Sequence, residues 1–142
     1  MQHPMDSTFF RELLDNVSDG VYFVDEERCI QYWNKGAYRI SGFSPEEVTG
    51  HSCMDDILVH VTTDGESLCH GECPLAATLK DCVIRTDVVY LRHKDGHRLP
   101  VQVTTVPIRD DQVKVIVGLE AFCDYSNALA ALIEAAELKA MA

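Results

Sequence analysis

Apolar positions recur along this chain in two rhythms. Phe9, Phe10, Leu13, Leu14 and Val17 fall three and four residues apart, the spacing of one helix face. Asp6 or Ser7 can cap that helix, which is expected over 6–18. Ser18-Asp19-Gly20 stops it. Val21 to Val24 is a short run of β-branched and aromatic residues, so a strand, and Cys29 to Trp33 is its hairpin partner across the turn Asp25–Arg28. Asn34 caps a short helix, Lys35 to Ser41, which Gly42 breaks. Ser44-Pro45-Glu46-Glu47 is a helix start, with Ser44 as cap, Pro45 in the first position and Glu47 three residues on; Gly50 ends that helix.

The second half repeats the alternation. Met54 to Val59 is expected to form one or two helical turns, and Thr62 to Ser67 a loop. Cys73-Pro74 opens a helix over Leu75–Asp81, with Cys73 at its cap. Three strands follow, Val83–His93, Arg98–Ile108 and Val113–Phe122, with Lys94-Asp95-Gly96 as a hairpin turn. In the middle one Leu99, Val101 and Val103 alternate with Arg98, Gln102 and Thr104. Asn127 to Met141 is a closing helix with Leu129, Leu132, Ile133 and Ala136 on one face. No strand follows to cover that face, so a homodimer through the first or last helix is expected. Two strands, several short helices and three strands predict an α+β fold: a five-stranded antiparallel sheet with short helices on one face, flanking N- and C-terminal helices and a covered pocket. The predicted domain spans 6–125, with a signalling or linker helix over 126–142.

Charge narrows the partners. The 142 residues carry 23 acidic and 12 basic side chains, a net charge of −11. That argues against nucleic acid and against an anionic membrane surface. No run approaches the roughly 18 apolar residues of a membrane span, and the first residues show no secretory signal. A cytoplasmic location is expected, and there six cysteines remain reduced. No phosphate loop, nucleophile motif or paired carboxylate in an apolar context is present, so the chain is read as a non-enzyme. Asp55-Asp56 reads as a solvated helix end.

The candidate chemistry sits in the middle, between Gly50 and Cys82. Cys53, His60, Cys69 and Cys73 are spaced C-x6-H-x8-C-x3-C. Three thiolates and one imidazole complete a tetrahedral set for a single zinc or iron ion or an iron–sulfur cluster. A thiol at the start of a helix is acidified by the helix dipole, which singles out Cys73. The alternatives are that these cysteines fill the core, or that they form a regulatory thiol or disulfide pair. Cys29, Cys82 and Cys123 read as packing residues. His51 and His70 are spare candidates expected at the surface, and His93 and His97 flank the hairpin turn as ordinary polar residues.

Six stretches in fixed order carry a family resemblance. They are Leu14-Asp15-Asn16-Val17-Ser18-Asp19-Gly20-Val21, Tyr32-Trp33-Asn34, Gly42-Phe43-Ser44-Pro45-Glu46-Glu47-Val48-Thr49-Gly50, Arg92-His93-Lys94-Asp95-Gly96, Pro107-Ile108-Arg109-Asp110 and Gly118-Leu119-Glu120-Ala121-Phe122-Cys123-Asp124. Together they resemble the PAS family of sensor domains over about residues 8–125, and the cysteines resemble a cysteine-bearing subset attached to cyclases and kinases. The resemblance implies a sensory or dimerising module of a bacterial signalling protein, with a histidine kinase or diguanylate cyclase as output domain and Asp124 and the last helix as the exit path. Beside the metal site, two alternatives stay open: a small-molecule binder whose pocket is lined by Tyr22, Trp33, Ile57 and Leu79, and a dimerisation and relay module with no ligand. Haem and flavin fit less well. There is no C-x-x-C-H motif and no histidine in the Cys73–Cys82 helix, where haem-binding relatives carry theirs. Cys53 lacks the Asn-Cys-Arg-Phe context of light-sensing relatives, and Glu120 and Val101 stand where those carry amide side chains.

Overall fold

One buried side chain, Asn34, turns the first hairpin into the first helical layer. Its Oδ1 accepts from the amides of Ala37, as helix cap, and Val21, both at 2.8 Å. Its Nδ2 donates to the carbonyls of Leu14 (2.7 Å) and Asp19 (3.1 Å). A fully buried amide is tolerated because its hydrogen-bonding groups are matched.

The computed structural model describes residues 7–53, 57–62, 64–68, 73–109 and 115–141. In chain order they form α1 (Ser7–Asp15), β1 (Gly20–Val24), β2 (Ile30–Trp33), α2 (Lys35–Ser41), α3 (Pro45–Val48), α4 (Pro74–Asp81), β3 (Arg85–Arg92), β4 (Arg98–Arg109), β5 (Val115–Asp124) and α5 (Ser126–Ala140). The five strands make one antiparallel sheet in the order β2-β1-β5-β4-β3. The first hairpin thus docks on the last strand, and β5 lies at the centre. The expected α+β architecture is the one observed.

The inner face of the sheet carries the core. Tyr22, Val24, Ile30, Trp33, Val89, Leu91, Val101, Val103 and Phe122 are buried there with Val48, Ile57, Leu58, Leu68 and Leu75 from the covering segments. On β4 the alternation holds, with Val101, Val103 and Thr105 buried and Arg98 and Gln102 exposed. Close approach demands glycine at position 36: a Cβ there would stand 2.1 Å from the carbonyl oxygen of Asp19. Gly42 takes φ +83° at the end of α2, and its bare Cα faces the ring of His93. The capping box expected at Ser44 is present in full, its side chain accepting from the Glu47 amide and Glu47 accepting from the Ser44 amide.

Several boundaries differ from the sequence expectation. Helix α1 ends at Asp15 rather than Ser18. Asn16 closes it by donating from its amide to Leu13 and from its side chain to Glu12. Cys29 lies one residue before β2 and forms an isolated bridge with Ser52. Within the expected helical turns at Met54–Val59, residues 54–56 lie outside the described residues, and Ile57 to Val59 are not helical, Val59 having φ +45°. Strand β3 begins at Arg85, not Val83. The αL cap at Cys82 (φ 62°) swings the chain out, leaving Val83 and Ile84 exposed. The predicted cap Asp6, the strand start at Val113, and His70 fall outside the described residues. Cys29 and Cys123 are half-buried rather than core residues.

Candidate functional site

A single row of side chains crosses the inner face of the sheet. Trp33, Tyr22, Glu120, Thr105 and Arg85 are successive register partners on β2, β1, β5, β4 and β3. Directly opposed residues share a face, so the row begins aromatic and ends polar. At its centre the Tyr22 hydroxyl donates to Glu120 Oε2 at 2.7 Å, with both residues almost wholly buried. Further along, the Thr105 and Thr78 hydroxyls meet at 2.8 Å, and Arg85 Nη1 donates to Thr78 (3.2 Å) and to Asp81 (2.8 Å). Arg85 holds the Asp81 carboxyl down at about 2. Helix α4 is therefore pinned to the sheet by polar contacts at its C-terminal end and by Leu75 in the core at its start.

His60 completes the buried centre. The Val61 and Tyr90 amides each donate to the other's carbonyl at 2.9 Å, and the Leu68 amide donates to the His60 carbonyl at 2.9 Å. These bonds hold the imidazole over β5, with Nε2 3.5 Å from Glu120 Oε2 and only 8 % of the residue exposed. The approach lies within ion-pair range without hydrogen-bond geometry, and among the described residues Nε2 is a buried polar atom with no hydrogen-bond partner. Two thiols flank the same centre. Burial, Glu120, Cys53 and Cys73 together push the Tyr22 hydroxyl well above its ordinary pKa. Burial pushes the Cys53 thiol up to about 12; nearby Arg28 opposes the rise, and Cys73 and Glu120 add to it. Cys53 is thus a neutral thiol at pH 7, placed by its amide's bond to the Arg28 carbonyl (2.9 Å).

Of the predicted metal set, Cys53, His60 and Cys73 all adjoin this centre, while Cys69 lies outside the described residues. Among the described residues the three do not bring their donor atoms within 4.8 Å of one another, so no complete ligand set is assembled from them. A neutral, buried Cys53 is also a poor preformed thiolate. Cys73 is the cap residue of α4, as expected, but its side chain makes no capping hydrogen bond. Of the predicted pocket lining, Tyr22, Trp33 and Ile57 are packed in the core cluster, with Leu79 half-buried against it. Tyr22 and Trp33 have ring centroids 5.2 Å apart, and Phe122 closes on both at 6.2 and 6.5 Å. The residue not singled out as a site from the sequence is Glu120. Its signal was present: a carboxylate two residues before Phe122 in an apolar strand must share that residue's buried face.

At the exit, Asp124 Oδ1 accepts from the Ser126 amide at 2.8 Å, and the Tyr125 amide donates to Pro100. These bonds couple the end of β5 to the first turn of α5. No residue of α5 is buried, and Leu132 and Ile133 are exposed. Among the described residues no helix is long and apolar enough to cross a membrane.

None of the functionally curated proteins matches the chain. The PAS domain of a protein from Colwellia psychrerythraea superposes with a TM-score of 0.68 at 23% identity, covering 82% of this chain and 94% of its own. A PAS domain from a two-component sensor histidine kinase gives 0.64 at 14%, covering 87% and 99%. The light-state dimer of the fungal blue-light photoreceptor Vivid gives 0.62 at 18%, covering 87% and 82%. These likenesses speak to the fold. The PAS domain family model itself matches residues 18–127, from the connection between α1 and β1 through β5 and into α5, and with this architecture the chain belongs to the PAS domain family.

Proposed function

We propose that this chain is a sensory PAS module of a signal-transduction protein, reading a small ligand at the Tyr22–Glu120–His60 centre or a redox change at a Cys/His metal site beside it, and relaying it along β5 to α5. The observation that carries this reading is a buried carboxylate shared by a tyrosine and a histidine whose Nε2 has no hydrogen-bond partner among the described residues. Burying such groups in a core costs several kcal/mol unless they are matched (about 1–3 kcal/mol for each unsatisfied one). A fold that needed only packing would be better served by apolar residues there. The same strand that carries Glu120 ends at Asp124, so a change in the centre has a short path to the exit helix. Signalling then requires that the occupied centre favour one arrangement of α5 over another.

The rest of the reading follows from this role. The module itself performs no reaction. It acts in the cytoplasm, as part of a longer chain whose output is a histidine kinase or diguanylate cyclase. It works as a homodimer through the exposed apolar face of α1 or of α5. Thermal shift against a panel of small polar ligands and reductants tests the site. Shifts present in the parent and lost in Glu120→Gln support it; shifts unchanged in that variant place the input elsewhere.

A second reading is a zinc, iron or iron–sulfur site formed by Cys53, His60, Cys69 and Cys73. One observation favours it: Cys73 lies in the core cluster and Cys53 packs against that same cluster, although the two are twenty positions apart in sequence. Such a group would supply redox sensitivity if iron, or rigidity if zinc. Iron, zinc and sulfide analysis of protein purified without oxygen tests it. Metal-free protein with all thiols titratable removes it.

A further inference from the structure

The β3–β4 hairpin brings together a second set of titratable side chains, far in sequence from the buried centre. His93 Nδ1 lies 3.2 Å from Asp95 Oδ1, and His97 Nδ1 contacts the same carboxylate oxygen. The two imidazoles stack with centroids 4.6 Å apart and planes 14° from parallel. Donor atoms of all three residues lie within 4.8 Å of one another, the one His/Cys/Asp/Glu group among the described residues to do so.

The hairpin holds this arrangement in place. The His93 amide donates to the His97 carbonyl at 2.9 Å, and the Gly96 amide to the His93 carbonyl at 2.8 Å, with Gly96 at φ +105°. The Lys94 amide donates to Ser41, and Lys94 Nζ pairs with Glu47 at 2.7 Å, anchoring the turn to α2 and α3. The other edge of the His93 ring rests against Gly42, which leaves Nδ1 as its donor atom on the turn side.

We propose that His93, Asp95 and His97 form a binding site for a borderline divalent metal ion of the zinc, cobalt and nickel group. Two imidazoles and a carboxylate are the ligand types those ions favour. With metal–nitrogen and metal–oxygen bonds of about 2.0–2.2 Å, tetrahedral donors stand roughly 3.3–3.6 Å apart, close to the 3.2 Å between His93 and Asp95; His97 and Asp95, now in direct contact, must separate, and the stacked rings must turn so that both Nδ1 lone pairs point at one ion. The ion replaces the bond that the Asp95 amide now makes to His93 Nδ1 (3.1 Å) and the hydrogen bond between His97 Nδ1 and Asp95, whose proton passes to His97 Nε2 or to solvent; the freed amide turns to water at the exposed tip. Water fills the remaining coordination positions. Binding would tie β3, the turn and β4 into one unit and brace the Lys94 contact with α3.

Cobalt(II) alone is the probe, because its spectrum separates this site from the thiols. The expected result is one cobalt(II) per chain with visible d–d bands and no thiolate charge-transfer band in the near ultraviolet. His97→Gln and Asp95→Asn each weaken binding by about 10–100-fold, while Cys53→Ser and Cys73→Ser bind as the parent does. Unchanged binding in His97→Gln overturns the proposal, as does a thiolate band lost in the cysteine variants, or no binding at millimolar cobalt. If a hairpin variant does not fold, nuclear magnetic resonance of the parent decides. Paramagnetic broadening of the His93 and His97 ring signals with those of His51 unaffected supports the site; the reverse pattern rejects it.

Discussion

The Tyr22 hydroxyl and the Glu120 carboxylate meet at 2.7 Å across ninety-eight residues of sequence, on adjacent strands at the middle of the sheet. Replacing Tyr22 by Phe leaves that carboxylate buried without the donor. We expect a loss of about 1–3 kcal/mol in urea unfolding. Glu120→Gln keeps an acceptor for the hydroxyl and should cost less than Glu120→Leu in the presence of Tyr22. In the Tyr22→Phe background that order should shrink or reverse, because the partner is gone. Additive losses in the double-mutant cycle would mean that the bond contributes nothing.

Cys53 should behave as a protected thiol. Burial raises it from 9.0 to about 12, so its reaction with a disulfide reagent at pH 8 should lag behind that of a free cysteine in the unfolded chain. The pH dependence has a definite sign. The folded state favours the protonated thiol, so its contribution is complete below pH 9 and declines as pH rises from 9 toward 12. The Cys53→Ala variant should lose stability less steeply than the parent across that alkaline window. Equal slopes would contradict the assignment.

At the acid end the relevant group is Glu47. Lys94 and the Ser44 amide hold its carboxyl down at about 2, from an ordinary value of 4.5. Its folded pKa is depressed, so the stabilisation is present above about pH 4.5 and disappears as pH falls toward 2. High salt should weaken the effect, since the pair is exposed. Ser44→Ala removes the reciprocal cap of α3 and should cost ~1 kcal/mol, read as a lower denaturation midpoint at an unchanged m-value.

Gly36→Ala is predicted to be far more damaging than its place in a helix suggests. Elsewhere in a helix that change is favourable by roughly 0.5–1 kcal/mol. Here the new methyl would meet a backbone carbonyl at 2.1 Å, and neither side can rotate away. Poor expression or a large fall in melting temperature is the expected outcome. A stabilised variant would show that the α1–β1 connection shifts freely.

The dimer reading makes a solution prediction. Leu132 and Ile133 on α5 are more than half exposed, as is Leu138. Leu132→Glu with Ile133→Glu should convert a dimer to a monomer in sedimentation analysis without lowering the melting temperature of the sheet. A parent protein that sediments as a monomer at high concentration would remove that reading.

The local sequence determined most of the elements, because their signals act over three or four residues. Asn34 and Ser44 mark helix starts, Gly42 an ending, and alternation on β4 selects the buried face; each reads the same way in the chain and in the fold. The family pieces from Leu14 to Asp124 added the order in which the elements assemble. Only the tertiary structure decided what meets in the middle. Glu120 read as one carboxylate in an apolar strand until β5 lay between β1 and β4, and register then placed it against Tyr22 with His60 above. The spacing of Cys53, His60, Cys69 and Cys73 suggested a ligand set because sequence spacing limits reach. Convergence of donor atoms depends on non-local packing, which among the described residues gathers them instead at His93, Asp95 and His97. That hairpin cluster is local in sequence, but its stacked geometry depends on the pairing of β3 with β4, which no single turn signal encodes.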